Sequence, residues 1–258
     1  MEWGMKNRLS RIIDPKSRRC LMLAVDHGYF QGPTTGLKNL GETVKPLLPY
    51  ADALMITRGG LRNWIPAEID KPVILRVSGG QSILKELSNE VVTTSIDDAI
   101  RINASAITCS VYIGSEYEKE TIANLADLVN WGQDFGIPVL AVTAVGKEMV
   151  RDARYLGLAC RICVETGAHM VKTYYCDGFE EVVEACGNVP VVIAGGKKIE
   201  ERAALEMAHN AIKSGASGVD MGRNIFQSDN PVGMIKAARA IVHDNASVEE
   251  AFKIYKKK

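Results

Sequence analysis

A lysine set inside an apolar strand is the residue of this sequence that most needs a chemical explanation. Lys172 lies in the run Met170-Val-Lys-Thr-Tyr-Tyr175, which otherwise reads as a strand. Side chains alternate across a strand, so Met170, Lys172 and Tyr174 share one face while Val171 and Thr173 share the other. The second pair suits contact with helices, which turns Lys172 toward the interior. Lysine is seldom buried without a reason. Desolvation and neighbouring cations favour its free amine, and a free amine is a nucleophile for carbonyl carbon. The structural alternative is a lysine held by a carboxylate, with Asp26 and Asp220 as the candidates.

Two glycine clusters supply a second kind of chemistry. Ala194-Gly195-Gly196-Lys197 and Gly222-Arg223-Asn224-Ile225 both follow short apolar runs. Glycine lets backbone N–H groups approach an anion closely, and Lys197 and Arg223 can add charge-assisted bonds. Either cluster alone is commonplace; the pair points to a phosphate site. Asp26-His27-Gly28 closes an earlier run, where Asp26 could transfer protons or orient a ligand. The structural alternative for Asp26 is a turn-forming Asp before glycine; His27, of a type that titrates near neutral pH, is the second candidate catalytic group for moving protons, its alternative being a hydrogen-bonded structural histidine.

These residues need elements to position them, and the chain repeats one event that does so. A β-branched run ends in glycine or polar residues and a helical segment follows. The runs are 21–26, 53–57, 73–77, 106–111, 139–143, 170–173, 191–194 and 218–221. Helical patterns cover 118–135, 151–166, 199–214 and 231–243, several ending at glycines suited to a left-handed cap, such as Gly136 and Gly215. Strand–helix alternation without a compositional break predicts one domain over residues 1–258, a (β/α)8 TIM barrel with residues 1–19 as a lead-in. An open, doubly wound sheet shows the same local pattern. In a barrel, chemistry belongs at the C-terminal ends of the strands, and that is where Lys172, Asp26, His27 and both glycine clusters fall.

Composition narrows the partners. The chain has 258 residues with 31 Lys and Arg against 31 Asp and Glu. Zero net charge argues against nucleic acid or an anionic membrane as the main partner and leaves room for a small anion. No apolar run approaches the roughly 20 residues of a membrane span. The start of the chain lacks a signal-like apolar core, so a cytoplasmic address is expected. Cys160 and Cys163 form a lone CxxC within a helical pattern, without the second pair that a metal site requires, and all six cysteines are read as reduced thiols. His169, His209 and His243 show no metal-ligand spacing. No metal and no permanently bound cofactor are expected. Lys256, Lys257 and Lys258 read as a solvated tail.

Taken together, the lysine on the sixth strand, Asp26-His27-Gly28, Tyr112-Ile-Gly-Ser-Glu-Tyr117, Val171-Lys-Thr-Tyr-Tyr175 and the two glycine loops resemble the archaeal-type class I fructose-bisphosphate aldolase family. The resemblance is greatest to a branch whose members are thiolases in phospho-autoinducer-2 breakdown. It implies that Lys172 forms a Schiff base, that Asp26 is the strand-one carboxylate, and that Gly195, Gly196, Gly222 and Arg223 bind phosphate. In the aldolases a tyrosine proton donor and an aromatic neighbour follow the fifth strand; by spacing, Ala144 and Val142 stand there instead. An alanine cannot transfer a proton. Ordinary sugar-phosphate aldol chemistry is thereby disfavoured against an altered carbon–carbon cleavage, and the reaction that the resemblance implies is acetyl transfer from a phosphorylated dione to coenzyme A.

For coenzyme A the sequence offers no motif, only the loop residues Tyr29, Phe30 and Lys147. The resemblance also implies a ring-based homo-oligomer, with a decamer the expected size. Two rivals stay open at this stage. One is a class I aldolase acting on a sugar phosphate without coenzyme A. The other is a non-catalytic barrel that binds a phosphorylated ligand.

Overall fold

Parallel pairing of each strand with the next runs through the whole chain and closes on itself. The computed structural model describes residues 1–145 and 150–257. Its barrel strands are β1 (Cys20–Ala24), β2 (Ala53–Thr57), β3 (Val73–Arg76), β4 (Ala106–Ile113), β5 (Val139–Val145), β6 (Met170–Tyr174), β7 (Val191–Ala194) and β8 (Gly218–Met221). They form a closed parallel ring in sequence order, sealed where Cys20 to Leu23 of β1 pair with Gly218 to Met221 of β8. Closure makes the fold a (β/α)8 barrel and excludes the open sheet.

The alternation expected along β6 is present. Met170 joins Met22, Met55, Ile74, Leu140 and Val192 in the interior, while Val171 packs outward with Leu21, Leu54, Leu75 and Ile193 against the helices. The lead-in contains a helix, Trp3–Ile12, that closes the N-terminal mouth. Ile12 is buried in the same interior cluster, and Arg8 Nη1 donates to the Gly136 carbonyl at 3.1 Å. The cavity that reaches the interior polar residues lies at the other end, where the strands finish.

Three details depart from the expectation. β1 stops at Ala24, because the chain turns at once through Asp26, whose carbonyl accepts from the Tyr29 amide. After β3 a two-stranded antiparallel hairpin, Ser78–Gly79 with Val91–Val92, is inserted, and it carries Glu90 to the rim of the barrel. Lys256 is not in a free tail. It ends the helix Val248–Lys256, which starts at a Ser247–Glu250 capping box, and its Nζ lies 4.5 Å from the Phe252 ring centre. Lys258 lies outside the described residues. All six cysteines are buried and unbridged, with Cys160 and Cys163 on the helix Ala153–Glu165. Among the described residues no helix is long and apolar enough to cross a membrane.

Candidate active site

Directly above the methionine-rich layer the interior turns polar. Lys172 Nζ lies 2.8 Å from Asp220 Oδ2 and 3.8 Å from Met55 Sδ, so its ammonium rests on an apolar floor with one carboxylate beside it. Asp26, one turn beyond β1, accepts from Arg76 Nε at 2.9 Å. Arg76 Nη1 donates to Ser110 Oγ at 3.0 Å. Lys172, Asp220, Asp26 and Arg76 are all buried. Two cations thus face two carboxylates with little exposure to solvent, where each charge depends on its partners.

The two carboxylates respond differently. Burial raises the pKa of Asp26, but Arg76 foremost, then His27 and Lys172, outweigh it and hold the carboxyl below its ordinary value. For Asp220 burial wins over Lys172, and its pKa lies above the usual carboxylate value. Asp26 is therefore the firmly ionised member, and Asp220 the one nearer to holding a proton. His27 departs from the expectation for its type. Burial, helped by the Lys172, Arg223 and Arg76 charges against the opposing pull of Asp26, pushes its pKa down to about 4. Its imidazole is neutral at pH 7. Nδ1 lies 4.0 Å from Asp26 Oδ1 and has no hydrogen-bond partner among the described residues, while the ring meets Phe226 edge-on at 5.8 Å.

The glycine loops border the same space. Gly196 adopts φ +68°, a conformation costly for other residues, and a Cβ there would meet open space. A Cβ on Gly222 would stand 2.2 Å from the Ala24 carbonyl oxygen, so only glycine lets β8 leave the barrel so close to β1. Asn224 joins the two loops. Its Nδ2 donates to the Gly195 carbonyl at 2.5 Å and to the Lys197 carbonyl at 3.3 Å, and its Oδ1 accepts from the Ile199 amide at 2.9 Å. Arg223 is half-buried, and its Nε is a buried donor without a partner among the described residues. Burial lowers its pKa. A cradle of glycine backbone with a spare guanidinium donor suits an anionic oxygen.

An inner cavity of about 140 Å³ joins these groups: Asp26, His27, Lys172, Gly195, Gly196, Gly222 and Arg223 all line it. Lys197 does not. It is exposed and lines an outer cavity of about 660 Å³ instead. Ala144, Tyr112, Tyr174, Tyr29 and Phe30 border both spaces. Lys147 and Gly146 lie outside the described residues. Among the described residues no three His, Cys, Asp or Glu side chains converge as a metal site would require.

Sequence reasoning passed over several participants. Arg76 interrupts the apolar run of β3 just as Lys172 interrupts β6, so the same signal was present. Asp220, weighed only as a structural partner, turns out to be the carboxylate that meets Lys172. Glu90 had no local signal, because a buried role for it depends on the inserted hairpin.

Comparison with known proteins agrees with this geometry. Residues 20–228 match the DeoC/LacD family aldolases. The chain is 57% identical over 256 residues to the 3-hydroxy-5-phosphonooxypentane-2,4-dione thiolase of Escherichia coli (strain K12), covering 99% of this chain and 88% of that protein. It is 56% identical, with the same coverage, to the protein of that name from Salmonella typhimurium. Among solved structures it is similar to an archaeal fructose-1,6-bisphosphate aldolase whose catalytic lysine is covalently bound to a carbinolamine intermediate, with a TM-score of 0.82 and 25% identity over 93% of this chain and 99% of that one. With a family match that spans all eight barrel strands and near-full-length similarity to named enzymes, this chain is an enzyme that belongs to the DeoC/LacD aldolase family.

Proposed function

We propose that the chain transfers the acetyl group of 3-hydroxy-5-phosphonooxypentane-2,4-dione to coenzyme A, releasing acetyl-CoA and dihydroxyacetone phosphate. The observation that carries this reading is an interior Lys172 in a small cavity that widens, past Ala144, into a second one. A phosphorylated ketone suits the inner space, and an extended thiol has the outer one to approach through. The relatives named as thiolases of that dione support the choice of substrate.

In this reading Gly195, Gly196, Gly222 and Arg223 hold the phosphate, and Lys197 adds charge from the rim. Binding energy at the phosphate places the neighbouring ketone over Lys172. The amine adds to that ketone and loses water to give an iminium, with Asp220 positioned to receive the amine's proton beforehand. Coenzyme A sulfur then bonds to the acetyl carbon, the carbon–carbon bond breaks, and the iminium takes up the electron pair as an enamine. Asp26, kept ionised by Arg76, stabilises the iminium and handles protons. Neutral His27 at the edge of the cavity is a hydrogen-bonding partner for substrate oxygen rather than a charge. No step uses a metal. Tyr29 and Phe30, on the wall of the outer cavity, are the residues assigned to coenzyme A.

The reading also covers a cytoplasmic enzyme with residues 1–258 as one barrel domain, assembled as a homo-oligomer, a decamer in its expected form. Exposed Trp3 and Trp64 give such an assembly apolar surface to cover, and light scattering that finds a monomer removes that part. The deciding assay is acetyl-CoA release from the phosphorylated dione. Release that requires coenzyme A supports the thiolase. Equal cleavage without coenzyme A makes the chain a simple aldolase, and saturable binding without turnover makes it a sensor.

A further inference from the structure

Replacing the aldolase-type tyrosine with Ala144 leaves the reaction without its expected proton donor, and the barrel register shows what stands beside the vacancy. In the β4–β5 ladder Ala144 pairs directly with Tyr112, two residues beyond the Ser110–Val142 pair and on the same face, and Val142 in turn pairs with Lys172. Directly paired residues of neighbouring strands project to the same side. Tyr112 accordingly lines both the inner cavity, with Lys172, and the outer one, with Ala144.

Its hydroxyl is held from behind. Tyr112 Oη donates to Glu90 Oε1 at 3.4 Å, and Tyr29 Oη donates to the same oxygen at 2.7 Å. Ser78 Oγ donates to Glu90 Oε2, and Asn124 Nδ2 holds the Glu90 carbonyl at 3.0 Å. Glu90 is almost wholly buried. A buried carboxylate gathering three hydroxyl donors is a built feature, and it lies outside the cavity lining, so the two tyrosines are what connect it to the cavity. Burial first, then the Glu90 charge, raise the Tyr112 pKa above the ordinary phenol value despite the opposing Arg76. The phenol therefore carries its proton throughout the neutral range.

We propose that Tyr112 is the acid that protonates the enamine carbon after acetyl transfer, with Glu90 as the residue that positions it. The inference rests on the thiolase reading above. Its balance is simple. The thiol of coenzyme A loses one proton to solvent as its sulfur joins the acetyl carbon. The broken carbon–carbon bond leaves its electron pair in the enamine on Lys172. The hydroxyl-bearing carbon then takes the Tyr112 proton, the enamine returns to an iminium, and the phenolate recovers a proton from water in the outer cavity. Hydrolysis frees Lys172 and dihydroxyacetone phosphate. The longer Tyr112–Glu90 contact, against the tight Tyr29–Glu90 one, leaves Tyr112 the freer of the two to turn toward substrate.

The test is a rapid-quench comparison of wild type and Tyr112→Phe with the phosphorylated dione and coenzyme A. Tyr112→Phe keeps the ring, and Glu90 keeps its Tyr29 and Ser78 donors. A step blocked after acetyl transfer leaves a first-turnover burst of about one acetyl-CoA per site, followed by steady turnover slowed about 100-fold or more. Glu90→Gln, as a positioning change, is expected to show the same burst with a smaller slowing. Steady turnover of Tyr112→Phe within about threefold of wild type overturns the assignment, since a general acid contributes more. So does a variant that loses burst and turnover together while melting like wild type. Wild type releasing no acetyl-CoA overturns the thiolase reading itself, and this inference falls with it.

Discussion

A buried neutral imidazole makes position 27 sensitive to acid. The His27 pKa falls from 6.5 to about 4 on folding, so the unfolded chain takes up its proton first as the pH drops. The stability that this group contributes is complete above pH 6.5 and is lost as the pH falls toward 4. The span corresponds to about 3 kcal/mol. His27→Asn is expected to flatten the decline of unfolding free energy between neutral and mildly acid urea titrations by that order; an unchanged slope removes the explanation. Asp26, whose pKa is lowered, adds a loss of the same sign below its ordinary carboxylate range. Asp220 has the opposite sense: its raised pKa makes its ionisation a cost to the fold as pH rises, which the Lys172 contact at 2.8 Å limits. Arg76→Met leaves Asp26 buried without its guanidinium, so a loss of about 3–5 kcal/mol in unfolding free energy is expected. Lys172 was visible from period-two alternation alone, because a charge in an apolar run needs no partner to be noticed. His27 was visible as a residue and misleading as an acid, since its pKa is set first by burial and then by charges from β3, β6 and the β8 loop, which come together only in the folded barrel.

At the level of elements, the loops after β7 and β8 act as one unit because Asn224 hydrogen-bonds across them. Asn224→Ala leaves the Gly195 carbonyl and the Ile199 amide without these partners, at about 1–3 kcal/mol. If those loops hold the phosphate, KM for the phosphorylated dione is expected to rise more than kcat falls. Steady-state kinetics at fixed coenzyme A measures it, and an unchanged KM separates the loops from phosphate binding. The glycines of both loops were readable from sequence as places of close approach. Asn224 was not, because its partners are one loop away and asparagine is common in turns. The hairpin after β3 was equally hidden: its strands are two residues each, too short to show a period, yet they bring Glu90 behind Tyr112 and Tyr29.

Across the whole molecule, the barrel keeps an apolar seal at one end and the polar layer at the other. Trp3–Ile12 seals the N-terminal mouth with Ile12, and the polar layer occupies the other end. Ile12→Ala is expected to cost about 2–5 kcal/mol through the cavity it leaves, seen as a lower Tm, with KM and kcat unchanged where the fold persists. A shift in KM of comparable size would mean that the two ends are coupled. The strand–helix order was legible because every barrel strand is a short apolar run between stop signals, and ring closure follows from pairing β1 with β8, which no local pattern records.

The proposed reaction turns on a covalent bond at Lys172, and mass spectrometry of enzyme reduced with borohydride during turnover reads that bond directly. The geometry leads us to expect a reduced dihydroxyacetone phosphate adduct on the peptide that contains Lys172, with none in Lys172→Ala, whose acetyl-CoA release falls by several orders of magnitude. Turnover that proceeds in wild type with Lys172 unmodified would contradict the Schiff base and leave the lysine an acid–base or structural group.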